Sequence, residues 1–524
     1  MGRKLILIAS AVTLIATLVS CNNDRSVEPE RDRTQATDPE SDAALARQPP
    51  LNPSTGELLP LHISIIWQPW VGDYGQMVER RVIRVAVPYG GYQFYYDQGR
   101  PRGAVYELVQ RFEAHINEQL GRRNIKIYVV VIPVGRDELL PALFAGHADF
   151  VASDLTITEE RLKQLRFSRP LLTDIDEVVV TGRDAPELDS LDALAGQEIF
   201  VRFSSSYYEH LQRLAKSMSA RGLEPPRFVA ADELFEGEDI LDVLNSGLLS
   251  ITVMDSYKAR FWADVFPEIV VHDDLVINRG GAIAWATRKD SPVLNEVLDE
   301  FLREYGKGTL IGNATFNQHL DDAKHLRCIR TAQQSEQTQA VADLFRTYGA
   351  TYDFDWLMLA AQANQESGFR QDIRSTAGAV GIMQIKPTTA ADPNVGINDI
   401  STIDNNVHAG AKYMRYLADR FFGGGEMDDL NQWLLSLAAY NAGPTKVARL
   451  RREAEANGYD PNLWFNNVEI FAARRIGRET VTYVSNIFKY YVGYKIISER
   501  MQLREQRYAT VLTDRTCWDT VPDE

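Results

Sequence analysis

Residues 352–369, YDFDWLMLAAQANQESGF, and residues 378–387, GAVGIMQIKP, are the stretches around which the sequence is organised. The first predicts a helix, because its apolar side chains recur at the spacing of one buried helical face. Those side chains are Phe354, Leu357, Met358 and Ala361. Asp353 or Asp355 can cap the start of this helix, and Gly368 can end it.

Glu366 falls in the last turn of the predicted helix. The helix dipole and the apolar neighbours both disfavour a negative charge there, so we expect its carboxyl to retain a proton unusually well. A carboxyl of that kind suits general acid catalysis. A glutamate taken alone is most often a solvated surface residue, but three further blocks follow this one. They are Gly381-Ile382-Met383-Gln384, then Ala438-Ala439-Tyr440-Asn441-Ala442-Gly443 before Pro444, then Glu479-Thr480 with Tyr483-Val484.

These blocks, in this order and at these separations, resemble the catalytic domain of lytic transglycosylases of the soluble-lytic-transglycosylase type. The resemblance covers about residues 335–500 and implies a mainly α, lysozyme-like fold, similar to goose-type lysozyme. It implies that Glu366 is the catalytic residue, and it places other side chains in the substrate cleft. Those side chains are Ser367, Met383, Gln384, Tyr440, Asn441, Glu479 and Tyr483. Tyr440 could instead serve only in core packing.

The number of acidic groups bears on the expected reaction. Ordinary glycosidases use two carboxylates that flank the bond, and apart from Glu366 the blocks offer only Glu479. The resemblance implies that Glu366 protonates the glycosidic oxygen between N-acetylmuramic acid and N-acetylglucosamine, and then acts as base while the sugar's own 6-hydroxyl attacks C1. The expected product is 1,6-anhydromuramic acid. Two alternatives stay open: a lysozyme-like muramidase, which is a hydrolase, and a non-catalytic lipoprotein that binds glycan or solute.

From about residue 78 onward, strands and helices alternate, which predicts an α/β domain. Residues 81–87 and 125–133 read as strands and residues 104–120 as a helix. Residues 151–161, VASDLTITEER, followed by Phe167-Ser168-Arg169-Pro170, are similar to the signature of family 3 periplasmic solute-binding proteins. That resemblance covers about residues 78–325 and implies a two-lobed domain of the periplasmic-binding-protein type.

In that family, an arginine at the position of Arg161 grips the α-carboxylate of an amino acid, and an aspartate at the position of Asp255 receives the α-ammonium. The planar guanidinium matches a carboxylate, and the aspartate compensates a cation. Ser153 and Ser205 are further candidates for hydrogen bonds to the ligand. The resemblance implies an amino-acid ligand, and because an enzyme of the wall follows this domain, we hypothesise that it senses an amino-acid or peptide fragment of the wall and alters catalysis. Without the family, Arg161 would be a surface residue and Asp255 a helix cap.

The first twenty residues form a targeting signal, with Arg3 and Lys4 before an apolar run that is short for a membrane span. Leu18-Val19-Ser20-Cys21 resembles the lipobox of bacterial lipoproteins, which implies cleavage before Cys21 and a lipid on its thiol. The alternative is an ordinary secretory signal. Asn22 favours anchoring in the outer membrane, on its periplasmic face. Residues 21–77 are expected to form a flexible tether, because residues 22 to about 60 carry few large apolar side chains.

The 524 residues carry a formal net charge of -16 at pH 7, which disfavours nucleic acid as a partner but not a glycan strand of peptidoglycan. The eight histidines and three cysteines show no metal-binding spacing, so we expect no metal and no cofactor. Cys328 and Cys517 bracket the catalytic domain. In an oxidising compartment they favour a disulfide that ties the tail of residues 501–524 to the domain entrance; the alternative is two separate buried thiols.

Overall fold

The computed structural model describes residues 66, 68–90, 92–97, 99–233, 235–309, 312–315, 336–423 and 427–513. A two-lobed α/β domain is followed by a mainly helical domain, which is the fold class that the sequence predicts. Cys21, Cys328 and Cys517 lie outside the described residues, as do the signal sequence and most of the tether. The predicted lipidation and disulfide therefore stay predictions.

A mixed sheet organises the first domain. Its strands are β1 (Val82–Pro88), β4 (Tyr128–Val134), β5 (Phe150–Thr156), β6 (Leu165–Phe167), β7 (Leu172–Thr181), β8 (Glu198–Val201), β9 (Arg227–Ala230), β10 (Ile251–Asp255) and β11 (Val270–Arg288). Their order is β4-β1-β5-β11-β7-β10-β8-β9, with β6 paired to β11. β1 pairs in parallel with β4 and β5, and its sequence VIRVAVP is almost entirely buried, as is usual for a parallel strand covered on both faces.

The two lobes share this sheet. β1, β4 and β5 belong to the first lobe, whereas β8, β9 and β10 belong to the second. β7 and β11 pair in antiparallel fashion and run between the lobes, with several irregularities in their register. A small hairpin, β2 (Tyr95–Asp97) and β3 (Arg100–Arg102), stands apart from the sheet.

Helices cover the faces of this sheet. They are α1 (Tyr74–Arg80), α2 (Ala104–Gln119), α3 (Leu139–Phe144), α4 (Glu159–Gln164), α5 (Ser206–Ala220), α6 (Gly237–Asn245), α7 (Ser256–Ala263) and α8 (Pro292–Tyr305). The sequence places α2 and β1 to within about one residue, whereas β4 begins three residues later than predicted.

The predicted tether is wrong at its C-terminal end, because residues 68–77 pack against the first lobe. Trp70 donates its backbone N–H to the carbonyl of Gly146 at 2.8 Å, and its ring lies under the guanidinium of Arg80. Met77 is fully buried in the core. Trp70 and Tyr74 also pack against this core, so apolar side chains at the C-terminal end of the predicted tether hold it to the first lobe.

The second domain is a helical bundle. Its helices are α9 (Glu336–Thr351), α10 (Trp356–Ser367), α11 (Pro387–Ala390), α12 (Ile403–Phe422), α13 (Asp429–Ala442), α14 (Pro444–Ala456), α15 (Glu469–Arg475) and α16 (Arg478–Thr513). α10 and α13 are buried on most of their surface and pack against α16. The predicted boundary between residues 500 and 501 falls inside α16, which continues to Thr513. Within the described residues, no helix is long and apolar enough to cross a membrane.

Candidate active site and solute-binding cleft

Glu366 is held in the last turn of α10, where the sequence places it. Asp355 caps the helix by accepting the backbone N–H of Leu357 at 3.0 Å. Gly368 ends the helix in the left-handed conformation, with a φ of 63°. Leu357, Met358 and Ala361 are buried, as the apolar stripe predicts.

The carboxyl of Glu366 is largely buried and has one hydrogen-bond donor. The hydroxyl of Tyr483 on α16 donates to its Oε1 at 2.5 Å. Burial raises the pKa of Glu366 to about 7, and the Tyr483 hydrogen bond opposes that rise. Among the described residues, no Lys or Arg forms an ion pair with this carboxyl. Near neutral pH the group is therefore divided between its acid and base forms.

Ser367 ties the end of the catalytic helix to the loop that carries the second block. Its hydroxyl donates to the carbonyl of Ile382 at 2.8 Å and accepts the backbone N–H of Arg370 at 3.1 Å. The side chain is buried. Its bonds in the structure are thus to backbone groups and not to the Glu366 carboxyl.

The loop of Gly381 to Gln384 is fixed by its own polar groups. Met383 is buried and donates its backbone N–H to Asn406 Oδ1 at 2.9 Å, while Gln384 Nε2 donates to the carbonyl of Gly381 at 2.8 Å. Gly381 has a φ of 78°, and a Cβ at this position would lie 2.4 Å from Asn406 Nδ2. The glycine is therefore required by both conformation and space.

The third and fourth blocks meet across this loop. The hydroxyl of Tyr440 donates to the carbonyl of Met383 at 2.7 Å. Thr480 donates its hydroxyl to Asn441 Oδ1 at 2.7 Å, which links the end of α13 to the start of α16. Glu479 is exposed in the first turn of α16, one helical turn before Tyr483. The four blocks thus converge around Glu366, with Glu479 at the solvent side.

The hairpin of β2 and β3 contacts the catalytic helix, and sequence reasoning missed this. Asn364 Nδ2 donates to the carbonyl of Gly99 at 2.8 Å, and Tyr494 donates its hydroxyl to the same oxygen at 2.5 Å. A Cβ on Gly99, whose φ is 73°, would lie 2.0 Å from the ring of Phe369. No local pattern could reveal a contact between segments so far apart in the chain.

A buried ion pair also joins the two domains. Glu469 is fully buried and receives Nη1 and Nη2 of Arg81 at 3.0 and 3.1 Å, together with the hydroxyl of Tyr128. Burial by itself would raise the pKa of Glu469, but Arg81 outweighs it and the pKa is lowered. This carboxylate stays charged and serves the domain contact.

The candidate ligand residues of the first domain are engaged with the protein itself. Asp255 is buried, and the Lys258 ammonium lies 2.8 Å from its Oδ2. Arg161 donates to the carbonyls of Thr156 at 3.1 Å and Ser204 at 3.3 Å. The hydroxyls of Ser153 and Ser205 also have protein partners: the first donates to Asp154 Oδ1 at 3.2 Å, and the second caps α5.

Ion pairs cross the cleft between the lobes. Asp154 of the first lobe accepts Nη1 of Arg136 at 3.1 Å and also pairs with Lys258 of the second lobe. Arg136 Nε reaches Glu236 of the second lobe at 2.7 Å. Burial by itself would raise the pKa of Asp154, but the two cations outweigh it and hold the pKa well below its usual range. A pocket beside these pairs is lined by Tyr92, Tyr207, Glu238, Lys258 and Trp262, among others.

Within the part of the chain that the structure describes, no group of three or more His, Cys, Asp or Glu residues is placed to hold a metal ion.

Comparison with known proteins supports both domains. Residues 82–310 match the model of bacterial extracellular solute-binding proteins, family 3, and residues 343–462 match the transglycosylase SLT domain. The two matches follow one another in the order that the sequence predicts.

Curated relatives match most of the chain. A protein of Shewanella woodyi is 26% identical over 83% of this chain and 89% of the relative, and one of Pseudomonas putida is 28% identical over 79% and 84%. Both are named membrane-bound lytic murein transglycosylase F, as is a relative in Desulfosudis oleivorans.

Solved structures match a little under half of the chain. The chain is similar to a mutant ArgBP from T. maritima, with a TM-score of 0.39 and 20% identity, over 47% of this chain and 98% of that one. An ancestral arginine-binding protein bound to arginine gives a TM-score of 0.38 and 23% identity, over 46% and 98%.

Proposed function

We infer that this chain, in which a family 3 solute-binding domain precedes a transglycosylase SLT domain, is a peptidoglycan lytic transglycosylase and therefore a lyase. Its substrate is the glycan strand of peptidoglycan. The observation that carries this inference is Glu366, a buried carboxyl with a pKa of about 7 where the blocks of the SLT domain converge. Such a group can give a proton and take one back within a single turnover.

The finer mechanism that we propose uses one carboxyl twice. Protonated Glu366 donates to the glycosidic oxygen between N-acetylmuramic acid and N-acetylglucosamine, and the bond from that oxygen to C1 breaks. The resulting carboxylate accepts the hydrogen bond from Tyr483. It then takes the proton of the muramic 6-hydroxyl as that oxygen attacks C1. The 1,6-anhydro product forms without water, and Glu366 ends protonated.

The other cleft residues are proposed to hold the glycan. Met383, Gln384, Tyr440 and Asn441 would line the sugar subsites, and Tyr440 would also fix the loop through its bond to the Met383 carbonyl. Ser367 would act on the loop through the Ile382 carbonyl, while Glu479 would contact the substrate from the exposed rim.

Mass spectrometry of the products tests this mechanism. Purified protein without its signal sequence would digest peptidoglycan, and the fragments would be weighed. Anhydro ends without a gain of water support the proposal. Fragments that gain one water and carry a reducing end would indicate a muramidase, and unchanged glycan would indicate a protein that only binds.

We also propose that the first domain binds an amino acid or a wall peptide and that binding regulates the enzyme. Arg161 would take the carboxylate and Asp255 the ammonium, with Ser153 and Ser205 adding hydrogen bonds. Because Lys258 now lies against Asp255, a ligand ammonium would have to displace it. Regulation requires that the ligand bind more tightly to one of two arrangements of the domains. The hydrogen bond from Asn364 to the hairpin offers a physical link between the first domain and the catalytic helix. Calorimetry with wall peptides and free amino acids tests binding, and the absence of binding heat would contradict it. Digestion rates measured with and without the same ligands test regulation, and an unchanged rate would contradict that step.

Anchoring at the periplasmic face of the outer membrane through a lipid on Cys21 is part of the proposal. Cells grown with a radiolabelled fatty acid should label the wild-type protein and not Cys21→Ala. Fractionation of the two membranes would then locate the labelled protein, and recovery in the inner membrane would contradict the predicted sorting.

A further inference from the structure

Gln362 is a buried amide that the reaction scheme above does not use. It lies on α10 one helical turn before Glu366, and its side chain has no exposed surface. Neither Nε2 nor Oε1 makes a hydrogen bond with any of the described residues. An amide buried without a partner destabilises a fold, so an apolar side chain would pack at this position at lower cost.

The neighbourhood of Gln362 indicates what its amide can do. α10 packs against α16, which presents Tyr483, and the Tyr483 hydroxyl donates its only hydrogen to Glu366. The oxygen of that hydroxyl still has a lone pair to accept a hydrogen bond. Burial is the main cause of the raised pKa of Tyr483, and the nearby Gln362 amide is among the groups that lower it. A donor amide beside the phenol oxygen has that effect.

We propose that Gln362 is a positioning residue, which donates from Nε2 to the Tyr483 oxygen and thereby keeps the Tyr483 hydrogen directed at Glu366. The terminal amide torsion of a glutamine has a broad minimum, so the amide can turn toward a neighbouring acceptor at little cost. The chain Gln362 to Tyr483 to Glu366 stabilises the charged carboxylate, which exists between the two proton transfers. This role rests on the proposed lyase function and deepens it.

Few other polar groups face this chain of bonds. Tyr440 on α13 is close enough for Glu366 to raise its pKa further, although burial is the larger cause. From the first domain, the guanidinium of Arg100 lies near Gly368, where a Cβ would be 2.8 Å from its Nη2. Neither group donates a hydrogen bond to the Tyr483 hydroxyl among the described contacts, so Gln362 is the polar neighbour available for that oxygen.

The test replaces the amide by a side chain of similar volume, in Gln362→Met. We expect unfolding at an equal or higher temperature, because an unpaired amide is removed. The rate of peptidoglycan digestion should fall about fivefold, as for the loss of one hydrogen bond. The pH above which activity declines should move up by about half a unit, because the Glu366 carboxylate loses support. In a Tyr483→Phe background, the same substitution should change neither the digestion rate nor the pH above which activity declines.

A direct titration separates this role from the proposed function. The ¹³C signal of the Glu366 carboxyl, identified by its loss in Glu366→Gln, should titrate at higher pH in Gln362→Met. Trp433→Phe is the matched control, since Trp433 Nε1 on α13 is another buried group without a partner in the described structure, and its ring packs against Tyr491. That control should leave the titration unmoved.

The outcomes are distinguishable. If the wild-type protein releases nothing from peptidoglycan, the proposed function fails whatever the carboxyl does. If it digests peptidoglycan while Gln362→Met leaves both the titration and the activity profile unmoved, only the role of Gln362 is overturned. A fivefold loss that persists in the Tyr483→Phe background would also overturn it, because Gln362 would then act through packing.

Discussion

Glu366 and Asp154 are both buried carboxyl groups, and the protein uses opposite means to set their charge. Glu366 has a tyrosine hydroxyl as its partner, and burial raises its pKa to about 7. Asp154 has Arg136 and Lys258 beside it, and its pKa is held well below the usual range although burial opposes that change. Burial is thus common to both sites, and the presence of cations decides the outcome.

The presence or absence of neighbouring cations suits the Glu366 carboxyl to proton transfer and the Asp154 carboxylate to stabilising the fold. A carboxyl without a cation can exchange a proton near neutral pH, whereas a carboxylate between two cations stays charged and holds the lobes together. Glu469, with Arg81 at the domain contact, follows the second pattern.

The largest effect is expected on activity when the proton of Glu366 is removed. Glu366→Gln keeps the volume of the side chain, so we expect digestion of peptidoglycan to fall at least about 100-fold with the fold intact. Product release measured by chromatography checks this, with circular dichroism as the check on folding. Glu479→Gln is the companion variant. Residual activity above about a tenth in Glu366→Gln, or an equal loss in Glu479→Gln, would contradict a mechanism based on Glu366 alone.

The next effect concerns the charged site in the cleft. Asp154→Asn leaves Arg136 and Lys258 buried with fewer counter-charges, and we expect the free energy of unfolding of the first domain to fall by about 3–5 kcal/mol. Calorimetric unfolding of the full chain measures this. Asp192→Asn is the control, because Asp192 pairs with Arg221 at 2.6 Å on the exposed surface, where removing a pair changes little. Equal losses of unfolding free energy in both variants would show that the buried ion pairs of Asp154 stabilise the domain no more than an exposed pair does.

The pH dependence of stability should sharpen the contrast. Because the pKa of Glu366 rises on folding from 4.5 to about 7, the folded state holds more protons between these values, and its stability falls as pH rises through that window. At 1.36 kcal/mol for each pKa unit, the loss is about 3 kcal/mol. Glu366→Gln has no carboxyl to ionise at this position, so its stability should not show this fall with rising pH. It should unfold at a higher temperature than wild type at pH 8, and the gap should close toward pH 4.5; a gap independent of pH would contradict the raised pKa.

The smallest effect is expected for the hydroxyl that supports Glu366. Tyr483→Phe removes a hydrogen bond that lowers the pKa of Glu366, so that pKa should rise further and the alkaline decline of activity should move to higher pH. The digestion rate should fall by about tenfold. Rates across pH 5–9 measure both changes. A shift to lower pH would show that Tyr483 does not donate to the carboxylate.

Much of the catalytic helix could be predicted from residues close together in the chain. The cap at Asp355, the end at Gly368 and the buried stripe depend on spacing within about one dozen residues. The position of Glu366 in the last turn follows from the same pattern. Its raised pKa was expected from the dipole and from apolar neighbours, and burial is the cause that the structure identifies first.

Other features depend on segments that are distant in the chain. Tyr483 lies 117 residues from Glu366, and the Gly99 carbonyl lies 265 residues from Asn364. Their contacts arise when α16 packs against α10 and the hairpin docks on both helices, and no local periodicity encodes that packing. The same holds for residues 68–77, where Trp70 packs against the core and Met77 is buried within it.

Motifs, caps and hydrophobic spacing are properties of neighbouring residues, so the chain alone predicts the order of the two domains and the acid on which the reaction is proposed to depend. Only the tertiary structure decided which carboxyl groups meet cations, since Arg136, Asp154 and Lys258 come from three separate elements. It also decided that the amide of Gln362 is buried on α10, the helix that packs against α16. The charge of a buried group depends on what folding places within a few ångströms of it, and that distance is set by packing between elements.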